Sequence, residues 1–269
     1  MPQFSLSTQP HQKLLTLKEE YYQSLSAPMD GMWHVFAEQS AQWEISADQK
    51  LSGFFSINSS GQLLGLYMRD HLLIQAPEIF RSLLEEHKVK EAIVGTNDPL
   101  FLSLCMDRAK SSSTHTLMYR DFQKISISLP LPVSDANFRH ATADDAERIA
   151  VFFAENAEQR PDQDWYSEYV RQLQTRGEMF LLELNEEIIG ISEIRKSKAQ
   201  SDYADVGMLV AEKHRRQGLG AYLLASAKAV CYRYGVIPVC SCQMDNVSSR
   251  HAIEKVGFIS KHRMLHVRF

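Results

Sequence analysis

The sequence predicts an α/β (α+β) protein, a mixed sheet with helices on it, and three observations predict it. Through the second half of the chain, segments that alternate in the strand manner are separated by segments with helical apolar spacing. A weaker version of the same order fills the first half. The apolar share is 44% over 269 residues, enough for the cores of two domains of about 130 residues.

The second half is the more legible. Phe138, Arg139, His140 and Ala141 read as a short strand, and Thr142 or Asp144 caps a helix over residues 144–158 with Ile149, Phe152 and Phe153 on one face. A further helix over 164–176 stops at Gly177. Residues 180–184 and 188–196 alternate around Asn185-Glu186-Glu187, a hairpin pattern. A strand over 205–210 leads into a turn, then a helix over 218–234 that Gly235 closes. Residues 236–243 are apolar enough for a buried strand, although Pro238 leaves one side without a ladder donor. A helix over 248–256 ends at Gly257, and two closing strands are expected after it.

In the first half, residues 53–58 and 62–67 look like the hairpin at 180–191 with a longer turn, which sets Gly65 parallel to Gly190. A helix over 77–86, a strand over 91–94 and Asn97-Asp98-Pro99 follow. Between the halves, Pro130 and Pro132 disfavour helix in a stretch of Ser, Leu, Val and Asp, so 128–136 is expected to be an exposed linker between 1–127 and 137–269.

The charge balance excludes some partners. A formal net charge of −4 gives no global attraction to nucleic acid or anionic lipid. The N-terminus lacks the charged flank and apolar run of a signal peptide, and no stretch nears the roughly 18 apolar residues of a spanning helix. Cys105, Cys231, Cys240 and Cys242 are too scattered for a disulfide framework, and Cys240-Ser241-Cys242 lacks the spacing of a zinc pair. His140, His214 and His251 have no ligand partner at metal spacing, so no metal is expected. A cytoplasmic protein without membrane or nucleic-acid partners is the expectation.

The strongest local signal runs from Val210 through Arg215-Arg216-Gln217-Gly218-Leu219-Gly220-Ala221, where a strand enters a glycine-bearing turn and a helix begins at once. The first amides of a helix lack internal partners and carry the positive end of its dipole, so such a turn can cradle phosphates. Arg215 and Arg216 add charge against the acidic average. The bland alternative is a tight helix start with a solvated basic turn. The turn lacks the Gly-Lys-Ser/Thr ending of a P-loop and the GxGxxG spacing of a dinucleotide fold.

This segment resembles the signature of the GNAT superfamily of acyl-CoA-dependent N-acyltransferases: Arg or Gln, two residues, Gly, one residue, then Gly or Ala, after a strand ending in Val. A second family motif, Asn followed by a helix ending Glu-Lys-x-Gly-Phe, is matched by Asn246 and by Glu254-Lys255-Val256-Gly257-Phe258. The resemblance spans about half of the chain, from Phe138 to Phe269, and the echo in the first half suggests a tandem with a degenerate N-terminal lobe. It implies a mostly antiparallel twisted sheet whose central parallel strand pair splays apart, flanked by helices. It also implies acetyl-CoA as cosubstrate, its pantetheine arm beside Met208, Leu209 and Val210, its diphosphate on Arg215, Arg216, Gln217, Gly218, Leu219, Gly220 and Ala221, and contacts from Asn246 and Ser249. Asn246 reads equally as a helix N-cap.

GNAT enzymes transfer an acyl group directly to an amine, which must lose a proton. Many protonate the thiolate with a Tyr just before the Glu-Lys pair, where this sequence has Ile253. Tyr222, Ser249 and Cys242 are nearby substitutes, or the thiolate leaves unassisted. Glu193 and Asp205 are the candidate bases, each also readable as a strand-edge charge. Trp33, Trp43, Phe54, Phe55 and Tyr67 either wall an acceptor pocket or form core. The preferred reading is an N-acetyltransferase acting on an amine-bearing small molecule or peptide, with a homodimer allowed. The alternatives are a non-catalytic CoA-binding module and a phosphate-responsive protein unrelated to CoA.

Overall fold

The computed structural model describes residues 4–8, 11–29, 31–125, 127–157 and 163–269. Expectations that touch residues 1–3, Ser126 and Glu158 lie outside the described residues. Two compact units emerge. The first holds the described residues up to Met118 with Ser241–Met244 and Ser260–Phe269, and the second holds Tyr119–Cys240 with Asp245–Ile259.

In the first unit, strands β1 (Phe4–Thr8), β2 (Ala41–Ala47), β3 (Lys50–Ile57) and β4 (Gln62–Met68) pair antiparallel in that order. Helices α1 (Leu15–Ser24) and α2 (Gly31–Gln39) lie between β1 and β2 in the chain. A 3-10 turn and helix α3 (Ala76–Glu86) then return the chain to β5 (Glu91–Gly95), which runs parallel to β4. Helix α4 (Pro99–Met106) starts on Asp98, whose carboxylate accepts from the Phe101 amide, and β6 (Ser111–Arg120) follows. Phe55, Phe80, Phe101 and Leu63, all at most 1% exposed, centre this unit's core.

In the second unit β7 (Asn137–His140), β8 (Met179–Leu184), β9 (Glu187–Lys196) and β10 (Tyr203–Val210) again pair antiparallel in order. Helices α5 (Ala146–Asn156) and α6 (Gln163–Thr175) connect β7 to β8. They set Ile149, Phe152, Val170 and Leu173 against Met179, Leu181, Ile188 and Ile191 on one sheet face. The β8–β9 turn is tight because Asn185 and Glu186 both take positive φ, 49° and 66°, the geometry of a two-residue hairpin loop. Helix α7 (Leu219–Arg233) carries the chain to β11 (Ile237–Gln243), parallel to β10. It buries Leu219 and Leu223 against Leu182, Ile189 and Val210 on the other face. Gly190 permits this approach, since a Cβ there would stand 2.8 Å from Leu223 Cδ1. Helix α8 (Val247–Lys255) and β12 (Ile259–Arg268) complete the chain.

The fold is therefore mixed and mostly antiparallel, with the same order of pairings in each unit: three antiparallel steps, then a parallel step reached through a helix. This corrects the expected match of 53–67 with 180–191. Hairpin β3–β4 corresponds to β9–β10, because each is followed by the parallel partner. Gly65 and Gly207 each stand two residues past the last parallel pair, at Leu63 and at Asp205, so Gly207 rather than Gly190 is the counterpart. The apolar-Gly step of β9 drew the wrong alignment, and the longer connection over 197–202 hid the right one.

Two further expectations change. One continuous strand, β12, replaces two closing strands, because residues 259–268 contain neither Gly nor Pro to break them. Its Met264–Arg268 segment pairs with Gly95–Glu91 of the first unit, and Val267 is fully buried there. Residues 128–136 are not a free linker either. Leu131, Val133 and Ala136 pack on the cluster of Leu182, Ile189 and Leu223.

Candidate active site

The β10–β11 pairing joins Tyr203, Ala204 and Asp205 to Ile237, Pro238 and Val239, and ends there. Gly207 to Val210 continue on β10 with β9 as neighbour, leaving their other edge free of β11. A cleft of about 810 Å³ opens along this edge within the second unit. It is large enough for a nucleotide-sized cosubstrate, since ligand sites commonly span about 300–1,000 Å³.

At one end the cleft meets the start of α7. The N-cap is Gly218 at φ 89°, left-handed backbone that suits glycine, and no side chain caps the helix. Arg216 also takes positive φ, 63°, uncommon for a residue with a Cβ. Left-handed residues in such a turn aim successive amides at one point, forming an anion nest at the positive end of the helix dipole. Arg215 is committed elsewhere: its Nε donates to the Val210 carbonyl at 3.3 Å and its Nη2 to the Asn156 carbonyl at 2.7 Å. It shapes the loop, while Arg216 keeps its charge for the cleft.

Of the residues singled out from sequence, Met208, Leu209, Val210, Arg215, Arg216, Gly218, Leu219, Gly220, Ala221, Asn246 and Ser249 all line this cleft. Gln217 is not among its lining residues, and its Nε2 turns back toward the Lys213 carbonyl at 3.4 Å. Asn246 caps α8, its Oδ1 accepting from the Ser249 amide at 3.0 Å, so its capping and lining roles coexist. Sequence reasoning did not single out Phe153, Asn156, Ser248, His251 or Lys255 for the cleft; all five line it, His251 at an exposed position. The i, i+4 spacing of His251 and Lys255 was the available signal.

Glu193 and Asp205 are both buried, and neither lines the cleft. Arg195 lies between them, one guanidinium nitrogen donating to Glu193 Oε2 and the other to Asp205 Oδ1. The Tyr169 hydroxyl donates to Glu193 Oε2 at 2.7 Å. Burial works against the Arg195 charge, yet Asp205, Tyr169 and Glu193 lift its pKa well above the ordinary guanidinium value. Burial, and then the Glu193 charge, raises the Tyr169 phenol. Glu193 pairs across the ladder with Gly207, in the splayed part of β10, and its Oε2 would lie 3.7 Å from a Cβ built on Gly207. Both terminal nitrogens of Arg195 would lie nearer to that Cβ, at 3.6 Å, so the bare glycine faces the whole cluster.

Ile253, at the position of the usual family Tyr, is 3% exposed and offers no proton. Ser249 lines the cleft, whereas Tyr222 packs on the cluster around Leu223 and Cys242 is not among the lining residues. The first-half aromatics form no single pocket. Trp43 stacks on Phe55 at 5.8 Å, and Phe54 meets Tyr21 edge-on at 5.7 Å. Among the described residues, no group of three or more His, Cys, Asp or Glu side chains is arranged to hold a metal ion. No helix among them is long and apolar enough to cross a membrane.

A splayed parallel strand pair beside an uncapped helix start defines a fold for acyl-CoA-dependent transfer. Two family models match the chain, an acetyltransferase (GNAT) domain over residues 11–122 and the acetyltransferase (GNAT) family over residues 141–258. An acetyltransferase of the GNAT family from Colwellia psychrerythraea is 27% identical, with 98% of this chain and 99% of that chain covered at a TM-score of 0.90. A tandem GNAT protein from the clavulanic acid biosynthesis pathway is 14% identical over 98% of this chain and 97% of that chain, at a TM-score of 0.65. A GCN5-related N-acetyltransferase from Sphaerobacter thermophilus is 12% identical over 98% and 94%, at 0.67; these two show the fold alone. None of the curated proteins compared with the chain matches it. The chain belongs to the GNAT superfamily, as an acyltransferase with two GNAT domains in tandem.

Proposed function

We propose that the second GNAT domain moves an acetyl group from acetyl-CoA to a primary amine by direct attack, with the cleft along β10, α7 and α8 holding the cosubstrate. The uncapped start of α7, open to the cleft, carries this reading. Both family models describe acetyltransferases, which supports acetyl as the group transferred. The diphosphate accepts from the amides after Gly218, beside Arg216, and the pantetheine arm runs along Met208, Leu209 and Val210.

In the reaction the amine nitrogen forms a bond to the thioester carbonyl carbon, the carbon–sulfur bond breaks, and the electron pair leaves on sulfur. Glu193 takes the amine proton, reached over Gly207, and Asp205 holds Arg195 in place behind it. Two carboxylates against one guanidinium leave that cluster with a net charge of −1, which favours an arriving ammonium group. The thiolate leaves unassisted or with a hydrogen bond from the Ser249 hydroxyl, a tolerable step for a thiol of pKa about 8.5.

The N-terminal domain takes no part in this chemistry. Ser56 faces Gly65 where Glu193 faces Gly207, so the carboxylate has no counterpart. Past its last parallel pair, Leu64 and Ile93 pack with Met118 and Met264, with Met29 and Trp33 against them. Helix α3 begins with Ala76-Pro77 after the buried Gln75, without a glycine turn.

The buried Ile253 favours the second reading, a CoA-binding module without catalysis. Thiol release from acetyl-CoA over a panel of amines separates the two. Amine-dependent release that Gly218→Asp abolishes is expected; binding without release from any amine supports the module instead.

A further inference from the structure

Tyr169 is half-buried on α6, its ring against the cluster of Leu173, Met179 and Ile191. Packing of that kind needs the ring alone. The hydroxyl does something else: it accepts from Arg195 Nη1 at 3.0 Å and donates to Glu193 Oε2 at 2.7 Å. A guanidinium has no acceptor and a carboxylate no donor, so the phenolic proton has one direction available, toward Glu193. Burial and then the Glu193 charge raise the phenol, which keeps that proton in place.

Where the donors end matters for a base. The Tyr169 hydroxyl and Arg195 Nη1 both end on Oε2, filling the two lone pairs that one carboxylate oxygen offers. Oε1 has no hydrogen-bond partner among the described residues. The carboxylate is thus held by one oxygen and presents the other. We propose that Tyr169 is a positioning residue for the transfer: its hydroxyl, with Arg195, pins Oε2 of Glu193 so that Oε1 accepts the amine proton. The proposal rests on the reading of Glu193 as the base. In the step itself the proton passes from the amine nitrogen to Oε1 as nitrogen bonds to the carbonyl carbon, and the phenolic proton stays on Tyr169. No residue of α6 lines the cosubstrate cleft, so this tie can be cut without touching acetyl-CoA.

A double-mutant cycle on kcat separates positioning from packing, read as thiol release from acetyl-CoA with a polyamine, an aminoglycoside and a peptide with a free N-terminus as acceptors. Tyr169→Phe keeps the ring and removes the hydroxyl. It should lower kcat roughly tenfold to a hundredfold, the worth of one hydrogen bond to a charged group, with KM for acetyl-CoA unchanged. In the Glu193→Gln background the same substitution should cost nothing further, because the hydroxyl then has no base to hold. An equal loss in both backgrounds, an unchanged kcat in Tyr169→Phe alone, or a variant unfolded by circular dichroism would overturn the positioning role and leave Glu193 as the base. A Glu193→Gln enzyme as active as the wild type, or a wild type that releases no thiol with any of these amines, would overturn both.

Discussion

Glu193 and Asp205 share one guanidinium but face different surroundings, so their amide variants should behave differently. Glu193 borders the bare Gly207, and Asp205 is 4% exposed behind it. Glu193→Gln is expected to lower kcat on the order of a hundredfold or more, the usual share of a general base, with little change in KM for acetyl-CoA. Asp205→Asn, which removes one of the two charges on Arg195, should cost less. Steady-state kinetics of both variants decides it; an unaltered kcat in Glu193→Gln removes that residue from the chemistry. Asp98 offers a second test at this scale. Burial, opposed by the Phe101 amide and the Tyr21 hydroxyl, pushes its carboxyl from 3.8 up to about 6. A raised pKa means that the protonated form suits the folded state, so this contribution is complete below pH 3.8 and fades as pH rises through about 6. Asn can keep the cap without titrating. Asp98→Asn should therefore flatten stability across that window in denaturant melts at several pH values, and an unchanged slope would contradict the assignment.

At the level of elements, the seating of α7 on β9 fixes the direction of the helix start. Gly190→Ala would drive a Cβ into Leu223 Cδ1, 2.8 Å away, and should cost about 1–3 kcal/mol as an overpacked contact. Leu223→Ala should relieve part of that cost, so the double variant is less destabilised than the sum of the singles. Strict additivity in chemical denaturation would mean that the contact does not set the packing. Elements like these were legible in the sequence because their signals are local. Gly177, Gly235 and Gly257 end helices at positive φ, and residues 210–221 announce the glycine turn outright. The position of Asn156 on the cleft was not legible, since it comes from the end of α5 and only folding brings it beside α7 and α8. Arg215 was visible as a charge, but its commitment to the Val210 and Asn156 carbonyls was not.

Over the whole chain, sequence order and structural units part company. The last strand lies beside β5, with Met264 and Val267 in first-unit cores, although the residues before it complete the second unit. No local pattern marks such a placement, because an alternating strand does not name its partner. Truncation before Ser260 removes these buried side chains from the first unit and should expose it to protease, whereas a first unit folded from its N-terminal residues alone would resist cleavage. The tandem arrangement bears on stoichiometry. Leu64, Ile93 and Met118 pack together past the last β4–β5 pair and α3 lacks a glycine turn, so the proposed function expects one domain of the two to take acyl-CoA.

Calorimetric titration of the intact chain with acetyl-CoA, beside Gly218→Asp, tests the central claim most directly. One site per chain, lost in the variant while its circular dichroism shows it still folded, is the predicted result. Two sites per chain, or binding undisturbed by a carboxylate at the start of α7, would contradict it.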